Sequence, residues 1–206
     1  MGLVLAGSLT LLALCPLGTG EAQRPDVLAR AEAFVASLQS FRAHIEQRYH
    51  DRVHDRDLSA RATLALRRPD RLTFRFDDGR GIAMDGATVT AVEPALPLVH
   101  EQALPDDAFA DLRSVLAGTA TLAETFDVRD LGRRPSGDVL ELRPRNRALW
   151  DRALIAFDDG GTPQRVLIVD EAGNTLRWVL SRIRTGALPA SALALPLPSG
   201  AETVRP

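Results

Sequence analysis

The chain has 206 residues, with 25 basic side chains, all arginine, against 27 acidic ones, a formal charge of −2 and 45% hydrophobic residues. That balance provides no electrostatic pull towards nucleic acid or an anionic membrane, and the length suits one domain with a sizeable core. The single cysteine, Cys15, falls in an apolar leader, so the processed chain is expected to carry neither a disulfide nor a cysteine-based metal site.

Met1 to Cys15 is uncharged and apolar, about as long as a secretory hydrophobic region and too short to span a bilayer. Pro16, Gly18 and Gly20 interrupt it, and small residues at Gly20 and Ala22 suit a signal peptidase. Residues 1–22 therefore read as a signal peptide, and 23–206 as one domain. Leu14 stands where a lipid-attachment motif ending at Cys15 would need a small residue, so Cys15 reads as part of the leader.

Pro25 to Tyr49 reads as one amphipathic helix, with Val27, Leu28, Ala31, Phe34, Val35, Leu38, Phe41 and Ile45 at three- and four-residue steps. Strand patterns follow at Ala60–Arg68, Arg71–Asp78, Gly81–Met84 and Thr88–Val92, separated by the turn pairs Asp78-Gly79 and Asp85-Gly86. Asp106–Ala117 has helical spacing ending before Gly118, and Leu122–Phe126 reads as a second short helix. Strands resume at Asp138–Arg143, Ala153–Asp158, Gln164–Asp170 and Thr175–Ile183, and the proline-rich tail from Leu188 reads as extended or irregular. Such short connections imply an antiparallel meander rather than parallel βαβ units. The fold class is mainly β with α, one strongly curved antiparallel sheet; a sandwich would serve as well, but the helices suggest an unclosed antiparallel β-barrel, or half-barrel, with helices across its mouth.

The most informative run is Leu64-Ala65-Leu66-Arg67-Arg68-Pro69. Ala62, Leu64, Leu66 and Arg68 share one strand face, so an apolar stripe ends in a guanidinium just before a proline that stops the ladder. A guanidinium at a greasy rim needs acceptors. Helix C-terminal carbonyls are one source; a surface ion pair with Asp70 or another carboxylate is the other.

No Ser-His-Asp set, glycine-rich phosphate loop or nucleophile elbow is present, and no enzyme activity or cofactor is expected. Of the paired carboxylates Asp77-Asp78, Asp106-Asp107 and Asp158-Asp159, the first and last fall at turns. His50 and His54, with Asp51 and Asp55 nearby, have a spacing that could hold a metal, but read as a solvated polar segment.

An ordered set of motifs carries a resemblance. It comprises Leu-x-Leu-x-Arg-Pro at 64–69, Arg71-Leu72-x-Phe74, Asp85-Gly86, the helical insert, Leu142-Arg143-Pro144-Arg145, Asp170-x-x-Gly173-Asn174-Thr175 and Leu195-Pro196-Leu197-Pro198-Ser199-Gly200-Ala201-Glu202. Together these resemble the periplasmic outer-membrane lipoprotein carrier family (LolA), from about Ala29 to Val204. The resemblance implies a monomeric periplasmic chaperone that receives lipid-modified proteins from an inner-membrane lipoprotein-releasing ABC transporter. It would hold their acyl chains in an apolar cavity and hand them to an outer-membrane lipoprotein acceptor. It also implies that Arg68 hydrogen-bonds to the lid and holds the empty cavity shut. The expected lining is Leu64, Leu66, Leu72, Phe74 and Phe76, with Ile82, Met84, Ile155, Phe157, Ile168, Trp178 and Leu180 as further candidates; each is alternatively an ordinary core residue. A related carrier or sensor of other lipids, and the anchored acceptor of the same pathway, are the alternative readings.

Overall fold

The computed structural model describes residues 26–95, 98–104, 110–146, 150–197 and 199–205, so the expected signal peptide lies outside the described residues. A helix, α1 (Val27–Ser37), comes first and is capped by Asp26, whose side chain accepts from the Leu28 N–H at 3.1 Å. Six strands follow: β1 (Ser40–Asp51), β2 (Arg56–Arg67), β3 (Arg71–Phe76), β4 (Gly81–Asp85), β5 (Thr88–Glu93) and β6 (Leu98–Ala103). Two short helices, α2 (Ala110–Ala117) and α3 (Leu122–Thr125), precede β7 (Phe126–Arg134), β8 (Gly137–Pro144), β9 (Arg152–Phe157), β10 (Pro163–Val169), β11 (Thr175–Thr185) and β12 (Glu202–Val204).

All twelve strands form one unclosed, curved sheet in the order β12-β6-β5-β4-β3-β2-β1-β11-β10-β9-β8-β7. The ladders are antiparallel except at one edge, where β12 runs parallel to β6. The tail, expected to be extended or irregular, thus forms a 3-10 turn at Ala190–Ala192 and the edge strand β12.

One expectation fails here. The first helix does not reach Tyr49; it ends at Ser37, and Ser40–Asp51 is the central strand β1. Phe41 and Ile45 are four apart, which fits a helix face, but Phe41, Ala43 and Ile45 also fit period two, and all three are buried. Pairing with both β2 and β11 satisfies the β1 backbone on each side, and that tertiary gain overrides local periodicity. Two further strands, β6 and β7, have no counterpart among the expected elements; they carry few large apolar residues outside Phe126.

Register defines two faces. Phe41, Ala43 and Ile45 oppose Leu66, Leu64 and Ala62 on β2, which oppose Leu72, Phe74 and Phe76 on β3. Met84 and Ile82 continue the rows on β4. In the other direction the same face carries Leu180 and Trp178 of β11, Val166 and Ile168 of β10, Ile155 of β9, and Leu140 and Leu142 of β8. Helices α1, α2 and α3 pack on this face. One core cluster joins Val27, Ala31, Val115 and Leu122 to Phe126, Leu140, Leu142 and Phe157; the other joins Leu38 to Phe41, Ala43, Ile45, Leu66 and Leu180, with Phe34 and Leu116 packed against it.

The tail crosses the opposite face. Thr73 Oγ1 donates to the Leu193 carbonyl at 3.0 Å, Arg75 donates to the Ser191 carbonyl at 3.2 Å, and Leu195 lies against Gly81, where a side chain would leave it no room.

Candidate functional site

Helix α2 meets β2, β3 and β4 over a cavity of about 450 Å³, within the usual range of small-ligand pockets. Leu66, Leu72, Met84, Leu116, Ala110 and Ala117 supply apolar wall, while Asp70, Arg71, Arg113, Ser114 and Thr119 supply polar groups. Arg71 is held at that lining by Asp85, to which its Nε donates at 3.1 Å beside a second contact between Nη2 and the other carboxylate oxygen.

Arg68 is the tie across this site. It follows β2, so its guanidinium leaves the strand on the side where the helices lie. Its Nε donates to the Leu116 carbonyl at 2.7 Å and its Nη2 to the Val35 carbonyl at 2.7 Å. Longer bonds reach Ala36 at 3.3 Å and Val115 at 3.5 Å. These four carbonyls belong to the last turns of α1 and α2, where no further helical N–H is available and the helix dipole places negative charge. One cation therefore joins two helix C-termini. Its acceptors are these carbonyls rather than the Asp70 carboxylate. Gly118, with φ of +80°, makes room: a Cβ there would lie 2.7 Å from Arg68 Nη1.

Helix α1 is itself fastened to the sheet. Arg30 Nη2 lies 2.6 Å from Asp138 Oδ2, with both side chains largely buried, and Arg30 Nη1 donates to the Asp159 carbonyl at 3.0 Å. Hydrogen bonding from Arg30, with Arg133 adding to it, holds the Asp138 carboxyl below its usual range.

The structure places all twelve expected lining residues on the helix-covered face but distributes them unevenly. Leu66, Leu72 and Met84 line the cavity. Leu64, Phe74, Trp178 and Leu180 belong to the adjoining core cluster, with the Phe74 and Trp178 rings 5.5 Å apart. Ile155 and Phe157 lie in the other cluster, under α1 and α3. Phe76 is covered by the Arg80 guanidinium at 5.0 Å, Ile82 is exposed, and Ile168 is half-buried at the far end of β10. Sequence reasoning misses Val35 and Ala36 as acceptors for Arg68, because a backbone carbonyl leaves no residue-type signal. It also makes Phe41 and Ile45 helical, although they are buried strand residues of the core cluster beside the cavity; their period-two pattern is the available signal.

The histidine pair resolves into two separate contacts. His50 Nδ1 meets Asp57 at 3.1 Å and His54 Nδ1 meets Asp51 at 2.8 Å, both on the exposed β1–β2 hairpin. Hydrogen bonding from His54 lowers the Asp51 carboxyl. Among the described residues, no group of three or more metal-ligating side chains comes together.

Comparison with known proteins bears on the family of the chain. The model of the family described as outer membrane lipoprotein carrier protein LolA matches residues 36–193. The chain belongs to the LolA family. It is 26% identical to an outer-membrane lipoprotein carrier protein of Bordetella pertussis over 203 residues, covering 97% of this chain and 96% of that protein. A Bordetella avium protein of the same name is 28% identical, covering 96% of each chain. Among solved structures, an uncharacterized conserved protein from Thermus thermophilus superposes with a TM-score of 0.55 at 15% identity, covering 87% of this chain and 97% of that one, which supports the fold alone. LolA membership and the names of these relatives support a lipoprotein-carrier type of function.

Proposed function

We propose that this chain is a periplasmic carrier that shelters the acyl chains of lipid-modified proteins between α2 and the β2–β4 face, with Arg68 as the latch of the empty form. It receives cargo from an inner-membrane ABC releasing complex and surrenders it to an outer-membrane acceptor, acting as a monomer without covalent chemistry. The observation that carries this reading is the Arg68 guanidinium bridging the C-termini of α1 and α2 beside an apolar cavity.

The energetics suit a carrier. Hydrogen bonds from a charged donor contribute about 1.5–3 kcal/mol each, so the two short ones hold the lid by about 3–6 kcal/mol. A buried methylene returns about 0.8 kcal/mol, so hiding about four to eight of them offsets the latch. An acyl chain is long enough to open the lid and to leave a surplus, and an apolar molecule that buries fewer methylenes binds more weakly. The latch thus raises the threshold for loading and favours closure once cargo departs.

Native mass spectrometry of the processed protein recovered from a diderm periplasm tests this. A bound mass matching an acylated protein supports the reading; phospholipid as the sole adduct would make this a carrier of other lipids. A diacylglyceryl modification on Cys15 would overturn the reading in favour of an anchored acceptor.

A further inference from the structure

On the face of the sheet away from the helices, a second and larger concavity of about 1180 Å³ runs across the strands from the β3–β4 turn to β8. Its floor is apolar towards β8 and β10, where Leu154 and Leu167 face it, and Val179 beside them is 42% exposed. Its lining carries Glu46, Asp77 and Asp78 towards the β3–β4 turn, outnumbered by Arg48, Arg61, Arg134, Arg165 and Arg177, so its middle is basic. Arg48 of β1 stands directly opposite Arg177 of β11, and Arg165 of β10 is the diagonal neighbour of Arg177. Like charges directly opposed across a ladder are destabilising. Yet among the described residues none of these three arginines has a hydrogen bond or ion pair; the nearby Glu46 is shared with Arg61 at 3.9 Å. The arrangement costs the fold stability and returns nothing to it internally.

We propose that this groove docks a segment of a partner protein in which carboxylates alternate with apolar side chains. The carboxylates would lie over Arg48, Arg177 and Arg165, and the apolar groups over Leu154, Leu167 and Val179. A membrane is the weaker occupant, because a planar surface cannot fill a concavity and the chain as a whole carries a formal charge of −2. The proposal goes beyond the carrier reading, since the groove and the cavity lie on opposite faces of the sheet.

The test uses the full processed chain, two short synthetic peptides (alternating Val-Glu and alternating Val-Lys) and phosphatidylglycerol vesicles, with binding read by fluorescence anisotropy and co-sedimentation. The Val-Glu peptide is expected to bind and the Val-Lys peptide is not. Arg48→Glu and Arg165→Glu should each weaken binding about tenfold or more, because each reverses a charge under a carboxylate. Arg48→Glu should also raise Tm, since it converts a repulsive cross-strand pair into an attractive one, whereas a purely structural arginine would lower it. Uptake of a hydrophobic fluorophore by the cavity should be unchanged in both variants, which separates failure of this proposal from failure of the carrier reading. Equal binding of the two peptides, binding insensitive to both substitutions, or binding to vesicles alone would overturn it.

Discussion

Arg68→Leu is the sharpest probe of the latch, because it removes four hydrogen bonds while keeping an apolar side chain at the rim. The lost tie amounts to about 3–6 kcal/mol from the two 2.7 Å bonds alone. Even the lower figure corresponds to about a hundredfold change in the ratio of closed to open forms. If cargo binds the open form, apparent affinity is the intrinsic affinity multiplied by the open fraction. The variant should therefore bind a hydrophobic fluorophore up to about a hundredfold more tightly, the gain saturating once the open form predominates. Release to an acceptor should slow by a comparable factor, because closure no longer competes with the cargo. Fluorophore titration gives the first quantity, and transfer of an acylated protein to acceptor-bearing vesicles the second. Arg68→Lys should fall between, since one ammonium group cannot reach both helix ends in the geometry of a planar guanidinium. Unchanged affinity together with transfer at the normal rate would refute the latch.

Further outcomes follow from neighbouring contacts. Gly118→Ala should loosen the latch in the same direction but by less, as its Cβ would press on Arg68 Nη1 and its backbone would be strained at φ +80°; the same fluorophore titration reads it. The Asp138 carboxyl titrates below its usual range in the folded protein, so its bond to Arg30 contributes stability above the ordinary aspartate value of about 3.9 and loses it as pH falls through the lower, folded value. Acid unfolding followed by circular dichroism should accordingly be steeper in the natural protein than in Asp138→Asn. Leu140→Ala empties a site of 0% exposure between α1 and β8 and should cost about 2–5 kcal/mol, read as a lowered urea midpoint at unchanged slope.

Most of the strands are legible in the sequence because their alternation is clean and their turns carry glycine in the conformation it alone adopts cheaply. Leu72, Phe74 and Phe76 against Thr73 and Arg75 admit only one face assignment, and Gly79 and Gly86 take positive φ where Asp78-Gly79 and Asp85-Gly86 predict turns. β1 is the exception, because Phe41 and Ile45 satisfy both periods, and only the partners on either side decide between them. Those partners, Leu64 and Leu66 on β2 and Leu180 on β11, are far away in sequence. β12 is invisible for a related reason: three exposed residues have no pattern of their own, and their place comes from the open edge of β6.

The site divides along a different line. A guanidinium at the end of an apolar stripe signals an acceptor without naming it, since Arg68 would satisfy its donors equally with carboxylate or carbonyl oxygen. What decides the matter is where two helices end, and the sequence marks only one of those ends, at Gly118 after α2. The end of α1 carries neither glycine nor proline: Leu38 simply turns extended, and its N–H closes on the Val35 carbonyl at 3.1 Å. That carbonyl then accepts a second bond, from Arg68, so the latch uses the point at which helix gives way to strand. A helix continued to Tyr49, as local periodicity suggests, would have spent the Val35 and Ala36 carbonyls on its own next turn. Ending α1 at Ser37 therefore does two things at once: it supplies the central strand of the sheet, and it leaves the Val35 and Ala36 oxygens able to accept from the sheet's own arginine beside the cavity.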